Sequence, residues 1–479
     1  MTPTFTLASI APALPEIYLT AAICLVLLVD VFAGAAARRV TPTLTLLVIG
    51  VGAALTLRYA QVEMPTELFS GMYIADPLAT VLKLLTMLFV ALALLYSRHF
   101  LDERGLLKGE YYVLVLTAML GIFVIISAGS LLTLYIGIEL LSLSLYALVA
   151  FDRDSGVAAE SAMKYFVLGA IASGCLLYGM SMVYGLTGTL LLGELAAALQ
   201  GAPSLGLIMG VVFIVVGVAF KFGAVPFHMW VPDVYHGAPS SVTLFIATAP
   251  KIASFALAFR LLSGALGNVA DTWIQMLVIV AVLSALLGNV VAIAQTNLKR
   301  MLAYSAVGNV GFILFGFIAG TEQGQEAALY YTIAYVLTAL GAFGVILLAS
   351  RRGFEADELE HYRGLHARDP LLALILMIVM LSLAGIPLTV GFVAKLQIFQ
   401  ALWASDHLAL VVFAAAVSVI GLFYYLRVIK IVYFDSPGDL PVPDRHGGVR
   451  LALGLNAAAV IVLGVLPQSL VELCARVLG

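Results

Sequence analysis

The chain is written in long apolar runs separated by short polar stretches. About 20 predominantly apolar residues suffice for a helix that crosses a bilayer. Runs of that order lie near 14–34, 41–58, 74–97, 111–128, 130–151, 162–187, 204–236, 239–265, 271–295, 300–320, 325–350, 370–402, 408–434 and 449–471. The pattern predicts an all-α polytopic membrane protein with about fourteen transmembrane helices. Nothing reads as a strand. Two runs, 204–236 and 370–402, exceed what one straight helix needs. Each carries an interruption, Gly223-Ala-Val-Pro226 in one and Gly385-Ile386-Pro387 in the other. A broken helix is tolerated at membrane depth where protein or a wet cavity receives the freed backbone groups. A matched pair of them points to a transporter built from inverted repeats. The preceding runs also match weakly, Ala162-Met-Lys164-Tyr165-Phe166 against Ala328-Leu-Tyr330-Tyr331-Thr332. A single membrane domain, 1–479, then divides into accessory helices over 1–110, a first five-helix repeat over 111–265, a second, inverted, over 271–434, and a C-terminal helix over 449–479.

Composition sharpens this picture. Of 479 residues, 63% are hydrophobic and 11% charged, whereas soluble globular proteins carry about 25% charged residues. Lipid must be the main solvent. The net charge of −3 and the lack of any basic stripe exclude a nucleic-acid partner. Cys24, Cys175 and Cys474 lie far apart in apolar sequence without metal-ligand spacing, so they read as small buried hydrophobes. The first basic residue is Arg38. A cleavable signal peptide would open on a basic segment, so the first run is expected to stay in the mature protein.

Loop charge orients the helices. Basic clusters occupy alternate loops: Arg38/Arg39, Arg98/Arg104/Lys108, Arg153, Lys299/Arg300, Arg351/Arg352/Arg363/Arg368 and Lys430/Arg445/Arg450. The intervening loops are poor in Lys and Arg, with Arg58, Arg260 and Arg476 as exceptions. By the positive-inside rule both termini face outward.

A few ionisable groups remain inside the runs. Asp30 and Lys83 sit near span ends, where an interfacial carboxylate and a snorkelling lysine are expected. Lys164 can either snorkel or act within the membrane. Glu139, Lys221, Lys251 and Lys395 are too central to reach water easily, and ionisable groups at that depth mark ion pathways by default. The alternative for these four is a purely structural ion pair. Desolvation penalises the charged form of either residue type, so both can exchange protons. At about 8 Å and an effective dielectric near 20, a Glu–Lys pair interacts by about 2 kcal/mol. Movement of Glu139 would therefore retune the proton affinity of Lys221. His228 and His236, toward the base-rich end, could feed protons in; ordinary hydrogen-bonded loop histidines are the alternative.

The Glu–Lys–Lys–Lys series, the stretch KFGAVPFHMWVPDVYHGAPSSVT and the stretch LAGIPLTVGFVAK together resemble the antiporter-like subunits of proton-pumping NADH:quinone oxidoreductase, respiratory complex I. These are related to subunits of multisubunit sodium/proton antiporters. The resemblance runs from the first spans to the last. Within the family, subunit N in its bacterial form is the best match, because Lys395 stands where the middle antiporter-like subunit has a glutamate and because the chain ends directly after its last span, without the long lateral helix of the largest. The resemblance implies that Glu139 communicates with a neighbouring subunit, that Lys221 is the central pumping lysine, Lys251 the bridging lysine and Lys395 the terminal one. Lys164 matches a further lysine of less defined role. It also implies that flavin, iron–sulfur clusters and quinone belong to partner subunits, and that no cofactor is held here, consistent with the absence of a glycine-rich nucleotide fingerprint. Neighbouring antiporter-like subunits and lipid are the implied partners, and a bacterial inner membrane the implied location. Three rivals stand beside this reading: a cation/proton antiporter subunit with no redox partner, the membrane arm of a related hydrogenase, and a structural spacer.

Overall fold

The computed structural model describes residues 10–34, 37–60, 65–200, 203–437 and 447–478. Arg445, one of the basic loop residues above, lies outside them. Nearly all of the described chain is helical. Among the described residues thirteen helices are long and apolar enough to cross a membrane, and the shorter pair Pro370–Ala384 and Val390–Ala404 adds one interrupted crossing. The expected fourteen crossings are therefore present.

The first three helices are α1 (Leu14–Ala33), α2 (Ala37–Arg58) and α3 (Pro77–Glu103). A small antiparallel hairpin, β1 (Thr66–Leu68) with β2 (Tyr73–Ala75), separates α2 from α3. The sequence did not announce it, because three-residue strands are too short for alternation to register. Next come α4 (Gly109–Ile126), α5 (Leu131–Val149), α6 (Gly156–Thr187), the short α7 (Leu192–Ala198), and α8 (Leu205–Phe222) with its continuation α9 (Trp230–Gly237). The following crossing is built from α10 (Ser240–Ala247) and α11 (Ala249–Ala258). After it come α12 (Ala270–Ile293), α13 (Leu298–Ile318), α14 (Glu322–Ala349), the single turn α15 (Leu365–Arg368), the broken pair α16 (Pro370–Ala384) and α17 (Val390–Ala404), and α18 (Leu408–Phe434). Side chains fix many of the starts. Asp76, Ser130, Ser155, Ser204, Asn297, Thr321 and Asp369 each accept a hydrogen bond from a first-turn backbone N–H, which answers donors that a helix start leaves unpaired.

The predicted C-terminal helix over 449–479 is two helices, α19 (Gly447–Val465) and α20 (Gln468–Leu478). Pro467 lacks the N–H and has the ring that stop a helix from running through. The crossing over 240–265 is also less regular than its apolar pattern suggests. Thr248 (φ −116°, ψ −93°) separates α10 from α11, one residue before Ala249-Pro250, and Phe259–Ala265 widens into π-helix.

Helices α13 and α14 form the pillar of the molecule. Their apolar character runs all round, and almost every residue of their central windows is buried, as expected for helices surrounded by others. The outer helices instead expose large apolar side chains, Phe32, Val419 and Leu451 among them. Such a surface suits lipid rather than water. It also corrects the reading of the cysteines. Cys24 is exposed on this apolar rim, Cys175 is partly exposed, and Cys474 is buried as expected.

Both breaks turn on a glycine in the left-handed region, Gly223 (φ +76°) and Gly385 (φ +81°). Packing also requires glycine there. A β-carbon on Gly223 would meet Val231 at 2.6 Å, and one on Gly385 would meet the Lys395 stem at 2.7 Å.

Candidate functional site

A helix that stops inside the membrane leaves its last four carbonyls without intrahelical partners. At the end of α8 all four are answered. Ala219 O accepts from the Ala224 N–H at 2.8 Å, and Phe220 O from the Gly223 N–H at 2.9 Å. The Trp230 indole also donates to Phe220 O, at 3.2 Å. The other two partners come from α11: the Ser254 hydroxyl donates to Lys221 O at 3.1 Å, and the Lys251 ammonium to Phe222 O at 2.7 Å. Across the break, the Val225 N–H donates to the Ser284 hydroxyl at 2.8 Å. At the end of α16 the Lys395 ammonium donates to Ala384 O at 2.9 Å. It also lies over the Phe312 ring, 5.2 Å from the centroid. Each break thus places a buried lysine on the last carbonyl before its glycine, where a helix C-terminus favours positive charge.

Lys221 points the other way, toward α5. Its ammonium donates to the Ser142 hydroxyl at 2.5 Å, and that hydroxyl donates to Ile138 O. Glu139, three residues before Ser142, is not in direct contact with Lys221 but acts on it electrostatically. One oxygen of the half-buried Glu139 carboxylate has no hydrogen-bond partner. Lys221, Lys251, Ser142, Ser254 and Tyr165 line one cavity of about 20 Å³, room for about one water. Two sequence-predicted residues, Lys221 and Lys251, thus share one cavity; Glu139 does not line it, and Lys395 occupies the second break on its own.

The remaining predicted residues are placed differently. Lys164 does not enter this cluster. Its half-exposed ammonium lies 2.9 Å from both Glu160 and Asp233, and Asp233 also pairs with Arg300 at 3.0 Å. His228 is in the break itself, between Gly223 and α9. Its ring centroid lies 6.5 Å from that of Tyr304. His236 lines a polar vestibule of about 300 Å³ with Asp152, Ser155, Lys299, Glu355 and Asp357. The Nδ1 atoms of both histidines are buried without a partner.

Sequence reasoning missed several polar groups. Lys299, counted as a loop charge, is 4% exposed and donates to Ala238 O at 3.2 Å. Its position at the second residue of α13 hid this, because span edges look like loop in a hydropathy scan. Lys83 does not snorkel. It is 3% exposed and held by Glu16 at 2.5 Å and the Tyr73 hydroxyl at 2.9 Å. The β hairpin that carries Tyr73 supplies the partner and removes the need to reach water. Arg260, an apparent exception to the charge rule, forms a buried bidentate pair with Asp76 at 2.6 and 2.9 Å; it is not a loop charge. Asp30, near its span end as expected, accepts from the Thr41 hydroxyl at 2.7 Å. Among the described residues no group of His, Cys, Asp and Glu is arranged to hold a metal ion.

Comparison with known proteins gives matches of different weight. Residues 128–421 match the family described as NADH:quinone oxidoreductase/Mrp antiporter, transmembrane. A protein of Halorhodospira halophila named NADH-quinone oxidoreductase subunit N is 53% identical over 485 aligned residues, covering 100% of this chain and 99% of that one. A chain in the structure of respiratory complex I from Thermus thermophilus superposes with a TM-score of 0.83 at 31% identity, covering 96% of this chain and 99% of that chain. A chain of the Mrp complex from Dietzia sp. DQ12-45-1b gives a TM-score of 0.86 at 21% identity, covering 99% of this chain and 97% of that one. That last likeness speaks to the fold alone.

Proposed function

Since the chain belongs to the NADH-quinone oxidoreductase subunit N family, a proton-pumping component of that enzyme's membrane arm, we propose that it moves protons through Glu139, Lys221, Lys251 and Lys395. The observation that carries this reading is the cavity shared by Lys221 and Lys251. Two amines opening on one small cavity can pass a proton between them through a single water. A charged Lys251 holds the Phe222 carbonyl; a neutral one holds it less strongly, since charge-assisted hydrogen bonds are about twice as strong as neutral ones. Loading and unloading the lysine therefore acts on the break. Lys395 stands in the same relation to Ala384. Glu139 acts through space on Lys221, so a charge change at Glu139 alters how firmly Lys221 keeps its proton.

The polar vestibule lined by His236 and Lys299 serves as the intake from the base-rich side. Lys164, tied to Glu160 and Asp233, is accessory. The units 111–265 and 271–434 act as inverted repeats, a reading supported by the left-handed glycine that ends the first half of each broken helix, Gly223 and Gly385. The redox chemistry, with its flavin, iron–sulfur clusters and quinone, belongs to partner subunits. This chain sits beside other antiporter-like subunits in a bacterial inner membrane, with both termini on the periplasmic side.

Purification from native membranes through a tag on this chain tests the assignment. NADH-oxidising activity and iron–sulfur proteins are expected to co-purify. A purely membranous set of partners would favour the cation/proton antiporter reading, and a nickel–iron partner the hydrogenase reading.

A further inference from the structure

Lys395 is held from three sides at the second break. Its stem crosses Gly385, where a β-carbon would meet Cδ at 2.7 Å and Nζ at 3.1 Å. Its ammonium donates to Ala384 O at 2.9 Å. The third side is the ring of Phe312 on α13, whose centroid lies 5.2 Å from Nζ. A cation within about 6 Å of a ring centroid is drawn to the negative face of the π system, and more strongly where water is excluded. Both partners are buried here, Lys395 at 9% and Phe312 at 2% exposure. Among the described residues no carboxylate pairs with Lys395.

The ring is itself fixed in place. It stacks on Tyr331 of α14, with centroids 5.8 Å apart and planes 7° from parallel, and Phe315 meets it edge-on at 5.9 Å and 88°. Tyr331 is pinned in turn. Its hydroxyl donates to Asn309 Oδ1 at 2.7 Å, and the Asn309 amide donates to Ser305 O at 2.8 Å.

The two units differ at this position in a telling way. Helices α5 and α13 both start on a side-chain cap, Ser130 in one and Asn297 in the other. Counted from those caps, Ala306 stands where Glu139 does, and Phe312 stands where Leu145 does. Leu145 lines the Lys221–Lys251 cavity. The same helix position therefore borders the lysines of both breaks. In the first unit it is aliphatic and a carboxylate precedes it. In the second the carboxylate is replaced by alanine and the position is aromatic.

We propose that the Phe312 ring stands in for the missing carboxylate, holding the ammonium that forms when Lys395 is loaded with a proton. An aromatic face attracts the charge but offers no site that binds the proton itself. The ring thus favours loading of Lys395 without competing for what it carries, and the proton leaves toward another acceptor. Phe312 is a positioning residue, since it acts through Lys395. The inference rests on the place of Lys395 in the relay proposed above, and the experiment separates the two.

The intact complex is assayed in membrane vesicles for NADH-driven proton uptake, with NADH oxidation by an artificial electron acceptor reporting assembly. Phenylalanine carrying one, two or three ring fluorines is incorporated at position 312. Fluorine draws electron density from the ring face and weakens its hold on a cation while the shape changes little. The initial uptake rate is expected to fall stepwise with fluorine number. Phe312→Leu, which removes the ring, is expected to lose roughly tenfold, the order that a desolvated cation–π contact is worth. Phe317 is the control: it is buried on the same helix, and its ring packs 5.6 Å from that of Phe255. The same fluorinated series there is expected to pump at the wild-type rate. Loss in Phe312→Leu with a flat fluorinated series would overturn the proposal by showing that the ring only fills space. An equal stepwise fall at Phe317 would overturn it too. Wild-type uptake throughout the Phe312 series, with loss in Lys395→Ala, would overturn it and leave the relay standing. Normal uptake in Lys395→Ala would remove Lys395 from the relay and this inference with it.

Discussion

The ammonium of Lys251 and the carbonyl oxygen of Phe222 lie 2.7 Å apart, joining α11 to the end of the broken helix α8. The contact is repeated at the second break between Lys395 and Ala384, at 2.9 Å. The lysine comes from a following helix in the first case and from the second half of the same broken helix in the other. In both, one charge satisfies a helix end and is available to carry a proton.

Because each lysine answers a buried carbonyl, neutral substitutes should weaken the fold as well as the function. Lys251→Met and Lys395→Met each leave a carbonyl unpaired, at a cost of about 1–3 kcal/mol. Thermal unfolding of the purified complex should show a lower transition for both variants, alongside reduced proton uptake. Unchanged thermal stability would mean that these carbonyls find another partner.

Ser142 is the direct contact of Lys221, and Glu139 is not. Ser142→Ala should therefore impair pumping although it removes no charge. Uptake rates compared with Ser144→Ala, whose hydroxyl donates to Leu140 O, would isolate the effect; equal rates in the two would remove Ser142 from the mechanism.

Lys164 and Lys221 are both lysines within apolar sequence, yet their surroundings predict opposite sensitivities. Lys164 is half-exposed and shares its partner Asp233 with Arg300. Exposed ion pairs add little to stability. Lys164→Met should keep most of the pumping that Lys221→Met loses, measured in the same vesicles. A loss as deep as that of Lys221→Met would put Lys164 back into the relay.

The Glu16–Lys83 pair ties α1 to α3 beneath the β hairpin. Removing one member of a buried pair costs about 3–5 kcal/mol. Lys83→Met should lower the yield of assembled complex, and Glu16→Leu in the same chain should restore part of it, read on native gels. No recovery in the double variant would argue that Lys83 has a role beyond pairing.

Helix number and the two breaks were legible in the sequence because lipid imposes a length on apolar runs and because Gly and Pro stop helices. Glu139, Lys221, Lys251 and Lys395 were legible for a related reason: charge is rare at that depth. What escaped notice was pairing. Neither the bond from Lys83 to the distant Glu16 nor that from Arg260 to Asp76 has a local signature. The Ser142–Lys221 contact likewise depends on how α5 meets α8. Tyrosines such as Tyr425 stayed hidden because they count as apolar in a span, and only the packed structure shows the hydrogen bond that Tyr425 shares with Ser305.

The most direct test of the relay is proton uptake per NADH oxidised in vesicles holding equal amounts of assembled complex with Glu139→Gln or Lys221→Ala. The relay predicts that both variants fall to roughly a tenth of the wild-type uptake rate or below. Uptake at the wild-type rate and stoichiometry in both would contradict it and leave this chain a spacer in the membrane arm.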